Sequence, residues 1–380
     1  MSHLKNSCLF VLFLSIFIGC SEIYTPVIDA TADALVVEGL ITDGAGPFNI
    51  KLSKTVLYSS DSVSAYKTVL GALLTVTDNE NQSFLLTEAG NGNYTLPSTF
   101  KGIIGNSYRL HIETKDGNIY ESSLQKLIPP QTYDTIRGIF TSNGVIGWNN
   151  QLKNVDGGEI LVDLFKSVPK GDSVPLCRFK TNITIQYNYN VIVKDTTNWH
   201  WVYNDWQTFQ LNSNENITED VSSSNSVVIK NHSIGIVPIN MTSYGLYPEN
   251  PVEYFYYFLR IEQYTINRDS YNFYKNANNQ LAATGKIFDP VTAQLYGNLK
   301  CINNPSKIVL GLFEVSSVIK SAALVTQGPY TKSVLVKTVP YEDIPTIGTT
   351  HYKVWTNIAL PMPKDDPDFI STIPAWWWHF

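Results

Sequence analysis

The side chains best suited to covalent or metal chemistry are few: four cysteines (Cys8, Cys20, Cys177, Cys301) and six histidines (His3, His111, His200, His232, His351, His379) in 380 residues. No two histidines stand in HxH or HxxxH spacing, and no histidine–cysteine cluster has the short intervals of a zinc site. The chain has no GxSxG elbow, no P-loop and no GxGxxG turn after a strand. Two acidic pairs, Glu219-Asp220 and Asp365-Asp366, fall in polar loop sequence. Carboxylates working as acid and base need a fixed separation across a cleft, so these read as solvated charge. Asp78-Asn79-Glu80 begins like a calcium loop but lacks the glycine and the distal glutamate, and reads as a hairpin turn. The residues therefore nominate no catalytic group, no metal ligand and no cofactor.

Cys20 stands apart. A short segment with Lys5 and no acid precedes the apolar run Cys8–Ile18, and Gly19-Cys20 follows directly. This is a charged n-region and an h-region of secretory length, too short for a comfortable membrane span. A small residue before a cysteine at the end of an h-region has the form of a lipobox, where the cysteine is diacylated and the chain is cut before it. Phe17 stands where leucine is usual. The expectation is a signal peptide over 1–19, a lipidated Cys20 and a tether over 20–34. The alternatives are an ordinary cleaved signal or an uncleaved anchor. Two or three acyl chains, at about 0.8 kcal/mol per buried CH₂, hold a protein on a membrane. No later stretch reaches the 18 apolar residues of a spanning helix. Cleavage and lipidation leave Cys177 and Cys301 as the remaining thiols. In an oxidising compartment they invite a disulfide; the alternative is two buried free cysteines.

The most unusual cluster is Trp199-His200-Trp201-Val202-Tyr203-Asn204-Asp205-Trp206. In a strand, Trp199, Trp201 and Tyr203 share one face. Exposed, they and Trp206 would form a stacking platform for sugars or peptides; buried, they would be sandwich core. A second aromatic run, Trp376-Trp377-Trp378-His379-Phe380, is either a docking tail or a strand that packs last.

Positioning such groups falls to strands. Hydrophobic residues make up 43% of the chain, enough for a packed core, which excludes wholesale disorder. With 27 Lys+Arg against 33 Asp+Glu, nucleic acid is excluded as the main partner. Leu35–Ile41 is a short apolar strand. Phe48, Ile50 and Leu52 alternate with polar residues, as do Tyr108, Leu110 and Ile112 with Arg109, His111 and Glu113. Leu73–Thr77 and Phe84–Thr87 flank a hairpin turn, and Asp116-Gly117 marks another. The stretch from Gly71-Ala72 through Gly92-Asn93-Tyr94 and Gly105 to Tyr108-Arg109-Leu110 resembles the transthyretin/carboxypeptidase-regulatory sandwich. Pro129-Pro130 is the best domain boundary. Beyond it, strands are expected at 134–140, 158–165, 178–193, 199–211, 227–237, 254–266, 306–314 and 322–325. Residues 267–284 carry Tyr271, Tyr274, Asn278 and Leu281 at helical spacing, with Asn267 to cap and Gly285 to close. The region past Pro340 is proline-rich and reads as irregular. The fold expected is mainly all-β: an N-terminal Ig/transthyretin-like sandwich over 35–128, a second mainly-β domain over 131–355 with a helical insertion, and an irregular aromatic tail over 356–380.

The run Leu35–Asp43, then Gly46-Pro47-Phe48 and Lys51-Leu52-Ser53, is similar to the opening of Bacteroidota lipoproteins grouped as domain of unknown function 4249. Gly105–Thr114 with Asp116-Gly117 and Tyr120-Glu121-Ser122 also match. So do Gln263–Ile266 with Tyr271–Lys275, Thr284–Pro290, Gly297–Cys301 and Leu310–Phe313. Many relatives end in a cysteine-rich tail where this chain has its tryptophan run. The family has no established catalytic residues to carry over. Its members are typically found beside TonB-dependent outer-membrane receptors. The resemblance thus implies a lipid-anchored outer-membrane protein at the cell surface, an accessory or ligand-capturing partner of such a receptor, with an unknown ligand. A surface hydrolase with an active site assembled only in three dimensions, or a structural or adhesive module, are the competing classes.

Overall fold

The computed structural model describes residues 33–56, 66–148, 151–165, 176–192, 200–211, 215–219, 228–238, 255–283, 294–327, 334–339 and 350–354. Short strands come first: β1 (Leu35–Thr42), β2 (Asn49–Thr55), β3 (Tyr66–Thr68), β4 (Leu73–Asp78), β5 (Ser83–Leu85), β6 (Thr87–Gly90), β7 (Asn93–Thr95), β8 (Ser107–Glu113), β9 (Ile119–Ser122) and β10 (Gln125–Lys126). Longer ones follow: β11 (Tyr133–Trp148), β12 (Gln151–Phe165), β13 (Leu176–Ile192), β14 (His200–Gln210), the two-residue β15 (Asn216–Ile217), β16 (Val228–Pro238) and β17 (Phe255–Ile266). After the helix α1 (Arg268–Ala283) come β18 (Leu299–Cys301), β19 (Val309–Gln327), β20 (Val334–Val339) and β21 (Thr350–Val354).

Period-two patterning builds the first core. In β8 Tyr108, Leu110 and Ile112 are buried while Arg109 and Glu113 are exposed, and in β4 Leu74 and Val76 turn inward. The turn after β4 is the hairpin its composition predicts: Asp78 Oδ1 accepts the N–H groups of Glu80 and Gln82, each at 2.9 Å, and Asn81 takes a φ of 64°. These strands form a six-stranded sheet in the order β18-β9-β8-β4-β5, with β10 beside β8. It packs on one end of a twelve-stranded sheet whose main path is β21-β14-β13-β17-β19-β1-β2-β7-β6, with β15 beside β13, β20 beside β19 and β3 beside β2. Leu35, Val37, Ile50, Leu52, Tyr94 and Phe313 from the large sheet meet Leu74, Leu110, Ile112 and Tyr120 from the smaller one. A second core lies between the three-stranded sheet β11-β12-β16 and the far part of the large sheet. There Ile160, Val162 and Ile234 face Phe179, Leu259, Ile261 and Val325. The fold is thus all-β and sandwich-like.

Pro129-Pro130 does not divide the two cores cleanly. Leu299 and Cys301 of β18, with Val309, Phe313 and Val315 of β19, return from the far end of the chain to complete the first core. β18 pairs with β9, and β19 runs parallel to β1 from Leu35↔Val309 to Thr42↔Ser316. Beyond Ser316 the same strand pairs with β17 and then β20. In place of the two strands expected at 306–314 and 322–325 there is one continuous strand, because Ser316 and Ser317 between them are buried within the sheet. The expectation of irregular chain past Pro340 is likewise corrected, since Thr350–Val354 pairs with β14 as an edge strand.

The close packing of β1 on β19 requires a glycine. Gly311 has a φ of 88°, and a Cβ there would lie 2.0 Å from the Val37 carbonyl oxygen. Gly311→Ala is expected to destabilise the protein by more than about 1 kcal/mol, read from the midpoint of urea unfolding, because neither the backbone angle nor the space suits alanine.

A second prediction concerns pH. His232 of β16 lies against Phe179, centroids 5.3 Å apart, with Nε2 2.7 Å from Asn216 Oδ1. Burial lowers its pKa to about 4. The unfolded chain, with a histidine pKa of about 6.5, binds the proton more readily, so acid favours unfolding. This contribution is complete above pH 6.5 and is lost as the pH falls towards 4, on the order of 2–3 kcal/mol. Unfolding curves of the wild type and His232→Gln across that window should converge as the pH drops.

Candidate functional site

The outer face of the six-stranded sheet carries a row of accessible polar groups. Cross-strand register sets Thr75 opposite His111, His111 opposite Glu121, and Glu121 opposite Lys300, with Thr77 opposite Arg109. Adjacent residues on one face of a sheet lie about 5 Å apart, so these side chains form one surface. His111 is held from both sides: Nδ1 is 3.1 Å from Glu121 Oε1 and Nε2 is 3.2 Å from Glu113 Oε1. Arg109 Nη1 lies 3.8 Å from Glu121 Oε2. Two hollows adjoin across this Arg109–Glu121 pair. One, of about 650 Å³, is walled by Asp269, Phe273, Tyr296 and Lys300. The other, of about 510 Å³, is walled by Thr75, Thr77, Asn79 and His111. Both volumes fall within the usual range of ligand pockets, about 300–1,000 Å³.

The first wall of the larger hollow is α1. Asn267 caps it by accepting the Ser270 N–H at 3.0 Å, as its type and position predict. Asp269 Oδ2 accepts from Ser123 Oγ and Gln125 Nε2, both at 2.9 Å, which fastens the first turn to the sheet. That turn sets Asn272, Phe273 and Asn276 over the hollow. Tyr271 is buried on the inner face, Tyr274 half-buried, and Asn278 donates to the Glu215 carbonyl at 2.7 Å. Leu281, expected to continue this face, is exposed. Gly285 lies outside the described residues.

Beneath the helix is a buried charge cluster. Arg178 Nη2 reaches both carboxylate oxygens of Glu314, at 3.2 and 3.3 Å, and Nη1 reaches Glu215 at 3.3 Å. The rings of Tyr264 and Tyr274 flank the guanidinium at 4.4 and 4.8 Å. Glu314 also accepts from Ser316 Oγ at 2.7 Å and from the Tyr274 hydroxyl. Burial works against the charge on Arg178, and the Glu314 carboxylate overrides it, so the guanidinium stays protonated. Burial and then the Glu314 charge push Tyr274 well above the usual tyrosine range, so it keeps its proton and donates.

The opposite wall, around Tyr296 to Lys300, is fixed by Asn298. Its Nδ2 donates to the Phe313 carbonyl at 2.8 Å and its Oδ1 accepts the Phe313 N–H at 3.0 Å, as a neighbouring strand would. Gly297 lets this segment lie on β19, since a Cβ there would meet the Gly311 carbonyl oxygen at 1.6 Å.

The residues singled out in the sequence are placed differently. Cys20 and Trp199 lie outside the described residues. Trp201, Tyr203 and Trp206 fall on β14, aligned with Val191, Tyr189 and Gln186 of β13, in the second sandwich; both hollows lie on the first. The expected Cys177–Cys301 disulfide does not form: both thiols are free and buried. Cys177 belongs to the second core, where Gln263 donates to its sulfur at 3.4 Å, and Cys301 to the first. Two thiols in separate cores cannot be joined, and burial pushes the Cys177 thiol up to about 11. Among the described residues no group of three His, Cys, Asp or Glu gathers as a metal site. Sequence reasoning did not nominate Arg109, His111, Glu121, Asp269 or Lys300. The available signal was the alternation of Arg109, His111 and Glu113 with apolar residues, which places all three on one outward face.

The family model described as "Domain of unknown function (DUF4249)" matches residues 21–322. No curated protein and no solved structure matches the chain.

The Arg178–Glu314 pair yields a prediction. Arg178→Met leaves a buried carboxylate without its cation and should cost about 3–5 kcal/mol in urea unfolding. Arg178→Met with Glu314→Leu removes both charges and should recover most of that loss.

Proposed function

We propose, from the premise that this chain belongs to the DUF4249 family, that it is a lipid-anchored outer-membrane protein at the cell surface. There it captures a ligand for a TonB-dependent receptor. The observation that carries the ligand-binding part is the groove on the first sandwich. Its polar groups are held in place before any ligand arrives: His111 by two glutamates, Asp269 by Ser123 and Gln125, and Asn298 by the Phe313 backbone. Groups already immobilised lose little conformational freedom on binding. The same contacts favour binding over hydrolysis. Ser122 Oγ donates to the Ser123 carbonyl and accepts the Leu110 N–H, Ser123 Oγ donates to Asp269, and both His111 nitrogens face carboxylates. Neither hydroxyl is paired with the imidazole as a nucleophile would be.

Anchoring rests on Gly19-Cys20 closing the apolar run Cys8–Ile18. A chain from Cys20 to β1 reaches at most about 50 Å, which keeps the first sandwich, and its groove, near the membrane. The receptor partnership rests on the resemblance to lipoproteins found beside TonB-dependent receptors. No helix among the described residues is long and apolar enough to cross a membrane.

The test uses the full chain expressed in its outer membrane. Cys20→Ala is expected to move the protein from the membrane to the soluble fraction, and wild-type protein to co-purify with a barrel receptor. Retention of the variant in the membrane would remove the lipid anchor from this reading; pull-downs free of any barrel would remove the receptor.

A further inference from the structure

The geometry points to a neutral oligosaccharide as the ligand of this groove, an inference that rests on the ligand-capturing role proposed above. The charges lining the larger hollow balance, Arg109 and Lys300 standing against Glu121 and Asp269. The smaller adds Asp78, whose Oδ1 is taken by the Glu80 and Gln82 N–H groups, and so carries one acid in excess. A nucleic acid or a polyanion requires a surplus of positive charge, which is absent here, and a polycation requires more than one turn-bound acid.

An extended peptide most often adds to a sheet edge, where unpaired N–H and C=O groups receive it. The floor of this groove is a sheet face; the edge strand beside it, β18, is only three residues long and stands in the wall. The central strands β4, β8 and β9 are each paired on both sides, to β5 and β8, to β4 and β9, and to β8 and β18. The floor therefore offers side chains and no backbone ladder. An amphipathic helix would need a continuous apolar trough, whereas here Arg109, His111, Glu121 and Lys300 stand among the apolar Leu124 and Phe273.

A ligand rich in hydroxyl groups suits what remains. Carboxamides and carboxylates present donors and acceptors in fixed planes, and a guanidinium presents paired donors, spaced to meet adjacent hydroxyls. Asn272 and Asn276, one helical turn apart on α1, supply two such amides on one wall. On the other wall Tyr296 is 58% exposed, an aromatic face available to the C–H side of a sugar ring. The hydroxyl of Tyr296 donates to Gln294, which fixes one edge of the ring. Two ligand-sized hollows in series, joined over the Arg109–Glu121 pair, suit several sugar units better than one.

The experiment is calorimetric titration of the full-length lipidated protein in a detergent without a sugar headgroup. The probes are neutral hexose and pentose oligosaccharides of several units, the corresponding monosaccharides, sulfated and uronic-acid oligosaccharides, and short peptides. At least one neutral oligosaccharide should bind, about tenfold or more tighter than its monosaccharide. Tyr296→Ala and Asn276→Ala should each weaken it about tenfold or more at an unchanged unfolding midpoint. Binding only of charged saccharides or of peptides would overturn the ligand class. So would a neutral oligosaccharide whose affinity neither variant changes, or no binding of any neutral oligosaccharide at millimolar concentration. Membrane retention through Cys20 and receptor co-purification do not use the groove. If they hold while binding fails, only the saccharide assignment falls; if they fail while binding holds, the saccharide site stands and the receptor reading falls.

Discussion

One strand carries both cores. β19 lends its first half to the first sandwich, parallel to β1, and its second half to the other, between β17 and β20. Its 19 residues span roughly 60 Å at about 3.3 Å each, so neither core closes without the same continuous element. Parallel pairing needs a long connection, and here nearly the entire second sandwich is that connection. The chain begins the first core, leaves to build the second, and returns through β18 and β19 to finish the first. A β1 left without β19 would present an open edge of unpaired backbone, which proteins avoid. The return strand is therefore as much a requirement of β1 as of the second core.

The midpoint of β19 carries Glu314, Ser316 and Ser317, all buried, and the arginine that meets Glu314 comes from β13. Taking both charges out of water is costly, and an apolar pair of similar volume often matches or exceeds such a bridge in stability. What the polar pair adds is registration. A strand shifted by one residue turns all its side chains to the other face. Such a shift in β19 would carry Glu314 away from Arg178 and Tyr274, leaving buried charge unpaired. The cluster penalises slippage where one strand passes from one core to the other.

Most strands were legible in the sequence, because alternation is local. Tyr108, Leu110 and Ile112 announced β8 and its inward face, and Asn267 with Tyr271 and Tyr274 announced α1 and its cap. What was not legible is non-local. Nothing in Leu310–Phe313 says that it pairs with β1, whose Val36 meets Leu310 from far back in the chain, so the boundary at Pro129-Pro130 separates what the returning strands interlock. Ser316 and Ser317 fall between the expected strands 306–314 and 322–325 because burial of hydroxyls inside a sheet is settled by neighbours. Thr350–Val354 lies in a proline-rich context and is made a strand by β14 beside it. Cys177 and Cys301 invited pairing by elimination, and only the division into two cores keeps them apart. The groove escaped for the same reason: Arg109, His111, Glu121, Asp269 and Lys300 come from four separate elements, and their types alone match no motif.

The groove inherits its rigidity from these same contacts. One wall hangs on Asn298, which behaves as an extra strand against Phe313 of β19. The other is α1, held at its start by Asp269 to Ser123 and Gln125 and in its middle by Tyr274 to Glu314 of β19. Both walls thus refer to one strand, and through Glu314 and Arg178 to β13 of the second sandwich. The floor belongs to the first core alone. Both walls therefore lose their fixings if β19 shifts, whereas the floor keeps its own strand pairing through β4, β8 and β9.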